Sequence, residues 1–483
     1  MKRLFIWIMM LIPVFLAGEE LRLSDAVKRA MDVSHGLNSS KYAVEKLELQ
    51  KKEAASQYLP RIQFKTTYTH LDNPIELDLE NLRQLIIKLE AGNQLSDINL
   101  QTIIQRGSPL TEQESALYSS KIASALESKI PSFNMMVLDG NMFRSSIEMT
   151  APIWIGGKIQ ALNQGAKLNL KEGKLDYDIT EEQLRSEVTT VYMLNKLLED
   201  VVGVYKEAEA GIQKHYDQAN SLYRAGLIAQ YQLLRAKVAL SEARANREKG
   251  EENLRTARSI LGNILELDNV DNITLSTPLS YEKLPLDSKQ TWEFVKQNNT
   301  TLKKLDIKKE LVDIKRKADL GDYLPQIYAF GKYEILKKDL SLLDPRWAVG
   351  VGVNLNLFSG GEKIYKLKAD RKLHEEVSEK QKEVESMLKK LTDKLYYSAA
   401  SDLHTIDTFT TRLEEAQENL KLAESRFSSG LGISLEVVDA NLMLEKLKIE
   451  KLQAIYNYTV NWLKINELGQ NLEKSILTLE GKK

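Results

Sequence analysis

The sequence predicts an α+β membrane protein written as one unit twice over, each copy giving two strands to a shared transmembrane β-barrel and two helices to a coiled-coil hairpin. Three observations carry this expectation. Landmark residues recur at fixed offsets, proline-free helical stretches run far beyond globular length, and between them the apolar period shortens from about 3.6 residues to about 2.

Tyr58-Leu59-Pro60 returns as Tyr323-Leu324-Pro325, an offset of 323 − 58 = 265. Gly156-Gly157, with Trp154 two places before it, returns as Gly360-Gly361 behind Phe358, an offset of 360 − 156 = 204. The same 204 aligns Arg224 to Leu227 with Ser428 to Leu431. A repeat this long is a duplicated domain half and not a solenoid unit. The first copy therefore carries 265 − 204 = 61 extra residues, placed between Asp72 and Met142.

At the start, Met1-Lys2-Arg3, an uncharged run from Leu4 to Ala17 and Gly18-Glu19-Glu20 have the three regions of a secretory signal peptide, assigned to 1–18. A helix follows over 19–58, a strand over 59–71 and the insertion over 72–142, with helix-like pieces around Leu79 to Glu90 and Thr111 to Lys129. A second strand covers 143–155 and a long helical hairpin 158–262. A linker over 263–290 leads to a helix over 291–322, strands over 325–336 and 346–358, a second hairpin over 361–470 and a C-terminal tail over 471–483.

From Lys158 to about Ala225, and from Glu362 to about Ser429, there is no proline. Ile406, Phe409, Leu413, Ala416, Leu420, Ala423 and Phe427 keep the alternating three-and-four spacing of a coiled-coil seam. Val202, Tyr205, Ile212, Tyr216, Ala219 and Tyr223 form its counterpart, interrupted by Glu209. At about 1.5 Å per residue such a helix reaches roughly 100 Å, so a rod-like molecule is expected. Each long helix stops at a glycine, Gly226 or Gly430, and a second heptad run starts at once, the pattern of a hairpin with a glycine-bearing tip.

In the strands, Phe143, Ser145, Ile147, Met149, Ala151 and Ile153 alternate with Arg144, Ser146, Glu148, Thr150 and Pro152. Trp347, Val349, Val351, Val353, Leu355 and Leu357 alternate with Ala348, Gly350, Gly352, Asn354 and Asn356. Arg61 to Leu71 and Gln326 to Ile335 add two more, with Ile62, Phe64, Tyr68, Ile327 and Tyr333 on the apolar side. Such strands suit a membrane barrel whose other face lines water, and taken alone they equally suit a soluble sandwich. Four strands cannot close a ring in lipid, where an open edge leaves backbone groups unpaired. Three chains would supply 3 × 4 = 12, within the range of known barrels.

Composition excludes other classes. The 67 basic and 68 acidic residues nearly cancel, with a pI near 6.6, so no basic face for nucleic acid is implied. Mean hydropathy is −0.34 and no second apolar run of membrane-spanning length occurs, which excludes a helical membrane protein. The chain has no cysteine, hence no disulfide, thiol chemistry or lipid-modified N-terminal Cys. Five histidines, at 35, 70, 215, 374 and 404, lack metal-ligand spacing or a neighbouring nucleophile. Gly156-Gly157-Lys158 lacks the rest of a phosphate loop and reads as a strand-to-helix turn. No catalytic residue, metal or cofactor is expected.

The order of signal peptide, helix, strand pair and long hairpin, repeated, resembles the TolC-like outer-membrane efflux proteins over nearly the whole mature chain. The likeness rests on Trp154-Ile155-Gly156-Gly157-Lys158, on Leu357-Phe358-Ser359-Gly360-Gly361 and on the tip from Arg426 to Ala440. It implies a homotrimeric 12-stranded outer-membrane barrel, four strands per chain, continuing into a periplasmic α-helical barrel that ends in a closable iris. A passive exit duct docked to a periplasmic adaptor and an inner-membrane pump would follow. The resemblance puts the family's iris acids on Glu436 and Asp439, with Gln232 where related chains often have an acid. Gly432 stands where some members carry a gate-bonding Arg. Ala225, Gly226, Leu227, Ser429, Gly430 and Leu431 form the tips expected to meet the adaptor. The rival expectation is an envelope-spanning coiled coil or an adaptor without a pore, which would need no lipid-facing strands. The insertion is expected outside the cell, either as a lid over the mouth or as an exposed loop.

Overall fold

The computed structural model describes residues 20–268, 270, 273–281, 287–337, 340 and 344–481. The predicted signal peptide lies outside them. The chain divides into two compact units, one from the described parts of Met1–Ala54, Ala161–Lys317 and Ile364–Lys483, the other from Ala55–Gln160 and Ala318–Lys363.

The first unit is helical. Strand β1 (Glu20–Leu21) leads into helices α1 (Leu23–Val33) and α2 (His35–Ser56). A single helix over 19–58 was expected; Ser34 breaks it. Its backbone leaves the helical region at ψ 113° and its Oγ accepts from the Leu37 amide at 3.2 Å, so it ends one helix and caps the next. The chain then passes through the second unit as β2 (Arg61–His70), β3 (Ile75–Leu77), α3 (Glu80–Arg106), α4 (Glu112–Lys129), β4 (Met135–Leu138) and β5 (Asn141–Ile155). Helix α5 (Lys158–Arg224) is 67 residues long and turns back into α6 (Gln230–Leu265). The expected linker holds a short strand, β6 (Thr274–Leu275), parallel to β1.

The helix expected over 291–322 is likewise two, α7 (Ser288–Asn298) and α8 (Thr300–Leu320), divided at Asn299. Asn299 has ψ 121° and its Oδ1 accepts from the Leu302 amide at 3.2 Å. The two breaks are 299 − 34 = 265 residues apart, the offset of the two Tyr-Leu-Pro landmarks. Helix α9 (Glu362–Ser428) has the same 67 residues as α5 and begins 362 − 158 = 204 residues later. It is followed by α10 (Ser434–Leu468) and α11 (Leu472–Leu479).

The residues expected as a C-terminal tail are thus part of the core. Leu472, Ile476 and Leu479 are buried with Leu23, Ala26, Tyr192, Leu265, Tyr458 and Leu463. Tyr192 donates its hydroxyl to the Leu21 carbonyl at 2.7 Å and accepts from the Thr277 amide at 3.0 Å, fastening both short strands to α5. The Ser24 amide and hydroxyl donate to the Glu480 carboxylate at 2.8 and 3.0 Å, and Glu182 accepts from the Leu472 amide at 2.9 Å. Burial raises the Glu182 carboxyl above its ordinary range, and that hydrogen bond opposes the rise.

The second unit is built on one antiparallel sheet, ordered β2, β5, β7 (Gln326–Glu334) and β8 (Trp347–Asn354). Register puts Phe64 opposite Ile147, Ile147 opposite Tyr333 and Tyr333 opposite Trp347, so all four strands turn apolar residues to one face. That face is bare in the single chain, with Ile62, Phe64, Val349 and Val353 each at least 66% exposed. A bulge between Pro152 and Trp154 shifts the register, so Trp154 pairs with Ile327 and Ile153, 60% exposed, is the extra residue between the two pairs. Strand β8 closes at Asn354, short of the expected 358. The opposite face is not only polar and tiny. The Phe330 and Tyr328 rings lie where a Cβ at Gly350 or Gly352 would sit, at 2.8 and 2.4 Å, so these glycines are the floor on which two aromatics rest.

The 3-10 turn Gly321–Tyr323 packs against the Gly156-Gly157 corner. A Cβ at Gly156 would meet the Gly321 carbonyl at 2.4 Å, and Lys158 pairs with Asp322 beside it. Gly156 and Gly157 have φ of 65° and 80°, Gly360 and Gly361 63° and 86°, a double left-handed corner only glycine adopts cheaply.

Candidate functional site

The two hairpin tips have the same backbone. In the first, the Gly226 amide donates to Tyr223 O and the Leu227 amide to Leu222 O, both at 2.9 Å. In the second, Gly430 donates to Phe427 O at 3.1 Å and Leu431 to Arg426 O at 2.9 Å. Both glycines have φ 72°, so each long helix ends in a left-handed cap with crossed bonds to its last turn. Ala225 and Ser429 precede them in the open. The leucine in such a cap commonly packs back on the helix, but Leu227 is 71% and Leu431 75% exposed.

Behind the tips the two hairpins share a core of Ala219, Ala236, Ala423, Phe427, Val437 and Ala440, with Tyr216, Ile228 and Leu233 against it. His215 is built into this packing, 4% exposed, its ring 4.7 Å from that of Phe427 and edge-on to it. Its Nε2 lies 2.8 Å from Ser434 Oγ. Burial lowers its pKa from 6.5 to about 4, with the hydrogen bond to Ser434 opposing, so the ring is neutral at neutral pH.

Ser434 opens α10, whose N-cap Ile433 has no side chain to cap with. The cap comes from the other hairpin, because Gln232 Oε1 accepts from the Ser434 amide at 3.2 Å. Gln232, expected at a constriction, is thus engaged as a cross-hairpin cap. Two residues on, Glu436 is half-buried and its Oε2 lies 3.4 Å from Arg426 Nε, while Arg426 Nη2 donates to the Leu431 carbonyl at 3.2 Å. Asp439, one turn further, is exposed. The structure therefore gathers Gln232, Ser434, Glu436 and Arg426 at one tip, with Asp439 beside them on α10.

Sequence reasoning passed over His215, Ser434 and the pairing of Arg426 with Glu436. The signal available was the 204 offset, which sets Gln232 against Glu436, Arg235 against Asp439 and Ile228 against Gly432. A Cβ at Gly432 would lie 3.0 Å from the Phe427 amide nitrogen and from the Arg426 Cβ, a tight fit that those neighbours would have to relieve. A polar groove of about 530 Å³ adjoins the tips, lined by Lys214, Gln218, Lys421, Glu424, Ser425 and Ser428. Among the described residues no three His, Asp or Glu side chains converge as a metal site requires, and no helix is long and apolar enough to cross a membrane.

A family model described as outer membrane efflux protein matches residues 132–265 and 295–468, well over half of the chain and including both tips. The chain belongs to the outer membrane efflux protein family. It is 22% identical to the outer membrane protein TolC of Escherichia coli over 367 residues, 71% of this chain and 72% of TolC. Its fold matches VceC of Vibrio cholerae with a TM-score of 0.67 at 13% identity, over 93% of this chain and 96% of VceC. It matches the MtrE channel of Neisseria gonorrhoeae with a TM-score of 0.67 at 12% identity, over 93% of this chain and 89% of MtrE. The protein is accordingly an outer-membrane efflux component with a periplasmic extension, not an enzyme.

Proposed function

We propose that three copies of this chain close a 12-stranded barrel and form the exit duct of a tripartite efflux or type I secretion assembly, passing cargo from a periplasmic adaptor and inner-membrane pump to the outside. The observation that carries the reading is the sheet of β2, β5, β7 and β8, bare on its apolar face and, among the described residues, unpaired along the outer sides of β2 and β8. A sheet of that kind is stable in lipid only when its edges are closed. Two strands and one long hairpin from each half of a duplicated chain would give the ring six similar sectors. MtrE is described as an outer membrane channel in an open state, which accords with a duct.

In such a trimer Glu436 and Asp439 form two rings of carboxylates at the periplasmic constriction, and Gln232 holds the neighbouring hairpin to them. Leu227 and Leu431, with Ala225, Gly226, Ser429 and Gly430, are the docking tips for the adaptor's helical hairpin, beside the groove at Lys214 and Lys421. Exposed leucines at both tips need a partner to cover them. An adaptor or structural coiled coil without a pore would have no use for the apolar sheet face. The test replaces Leu227 and Leu431 by Glu in cells. Export should stop while trimers remain in the outer membrane and still conduct in planar bilayers. Unchanged export, or purified protein that is a water-soluble monomer, would overturn the reading.

A further inference from the structure

The insertion after β2 is a built element. Its helices α3 and α4 pack as an antiparallel hairpin on a stem formed by β3 and β4. Thr111 and Glu114 make a capping box that starts α4, and Arg83 reaches across to close its end, donating from Nε to Ile130 O at 3.0 Å and from Nη2 to Glu127 O at 2.7 Å. Asn99 Oδ1 accepts from the Leu110 amide at 2.8 Å, and Arg106 pairs with Glu114 at 3.0 Å. On α3 the buried residues are Ile87 and Ala91.

Another row along α3 is different. Leu82, Ile86, Leu89, Asn93, Ser96, Leu100 and Ile103 follow one another at spacings of alternately four and three residues, and all seven are exposed. Leu89 is 62% and Leu100 56% bare. This is a row at heptad spacing, apolar toward both ends and polar at Asn93 and Ser96, about 30 Å long at about 1.5 Å per residue, on a helix that buries Ile87 and Ala91 elsewhere on its surface. It lies outside the segments matched by the family model, which begin at residue 132.

We propose that this seam packs against the same seam of two further copies, so that three α3 helices form a parallel coiled coil at the outer mouth of the barrel. The proposal rests on the trimer reading above. A repeat of about 3.5 residues is what a helix needs to stay in contact with a like helix over several turns, whereas an unrelated partner surface imposes no heptad. The polar positions Asn93 and Ser96 sit mid-seam between Leu89 and Leu100. Threefold symmetry aligns them in register, polar layer on polar layer, and a buried Asn layer fixes that register. The element is carried by β2, an outer strand of the sheet, which a neighbouring copy has to meet. Glu80, Glu90 and Asp97 balance Arg83, Lys88 and Arg106 along α3, so like helices do not repel.

The absence of native cysteine makes the test direct. Full-length Leu89→Cys, Leu100→Cys and, as a control on exposed α4, Lys121→Cys are oxidised in outer membranes, and trimer mass is measured in parallel on the native protein in detergent. Either seam variant should give a disulfide-linked dimer holding at most two of every three chains, since one cysteine of the three is left over. Lys121→Cys should give none. Adding Leu100→Asp to Leu89→Cys should remove most of the dimer while the trimer mass persists. Trimers without seam disulfides, or with equal linkage through position 121, would overturn the coiled coil and leave the trimer standing. Disulfides to another outer-membrane protein would assign the seam to that partner. A monomer in the native measurement would overturn both readings.

Discussion

The two Gly-Gly corners have nearly the same backbone and very different surroundings. Gly156 is pressed against the Gly321 carbonyl, with room for no other residue, whereas a Cβ at Gly360 would meet nothing within 4 Å. The difference follows from sheet order. β5 ends at the first corner and has β7 beside it, and β7 is entered through Gly321. β8 ends at the second corner and pairs with β7 alone, its outer side having no strand beside it among the described residues. What stands in Gly321's place in the first half is 321 − 265 = 56, Ser56, just before β2. If the ring closes as proposed, the open corner would be filled by the next copy's Ser56 segment, as Gly321 fills the first corner within the chain.

The largest effect is expected from breaking the filled corner. Gly156→Ala would force a left-handed alanine, about 1–2 kcal/mol, and drive its methyl into backbone that cannot yield. Membrane-inserted trimer, read by heat-resistant bands on gels, should disappear. Gly360→Ala has the same backbone strain but empty space in one chain. If the ring closes as described it should lose trimer nearly as completely, and a variant that assembles normally would show that nothing packs there.

The tips offer a subtler comparison, the same cap with different charge, because Gln232 and Arg235 stand at the positions that correspond to Glu436 and Asp439 in the repeat. The neutral, buried His215 ties them together. Its folded pKa of about 4 is below the ordinary 6.5, so the unfolded or opened tip takes up the proton first. Its contribution is full above about pH 6.5 and is lost progressively as pH falls toward 4. Protection of the tip amides, taken relative to the intrinsic exchange rate at each pH, should fall over that window, and His215→Gln should flatten the dependence. A profile unaffected by the substitution would place the acid sensitivity elsewhere.

The smallest effects concern ions. In a trimer Glu436 and Asp439 contribute 2 × 3 = 6 carboxylates, and crowding them favours cations in the constriction. Glu436→Gln with Asp439→Asn should lower cation preference in planar bilayers without affecting assembly. Gln232→Glu should raise it, since a carboxylate can still accept from the Ser434 amide. Selectivity unmoved by both changes would take these side chains out of the pore.

The long helices, the strand pairs and the tips were legible because each rests on a period or a glycine that a single sequence displays. The breaks at Ser34 and Asn299 were not, since a capping residue inside an otherwise continuous apolar pattern is visible only when the two copies are overlaid at 265. The first helical piece of the insertion is expected around Leu79 to Glu90, and α3 runs on through Gly92 to Arg106, because one glycine costs a helix only about 1 kcal/mol. The C-terminal helix was missed because its eight residues are too few to show a period. At the tips, Glu436 and Asp439 came from the motif alone, while the Gln232, Ser434 and His215 contacts join residues about 200 apart and needed the fold.

The central claim, a ring closed by copies of this chain, is tested most directly by its register. Within the chain Ile147 on β5 faces Tyr333 on β7. Carrying both through the repeat, 147 + 204 = 351 and 333 − 265 = 68, sets Val351 of one copy opposite Tyr68 of the next. Directly opposed antiparallel residues lie about 4.5–5.5 Å apart, within disulfide reach. Oxidation of the double variant Val351→Cys, Tyr68→Cys in outer membranes should produce a covalent trimer, and Val349→Cys with Tyr68→Cys, two residues out of register, should not. A covalent trimer from the second pair only would correct the register, and no intermolecular disulfide from either would contradict the ring.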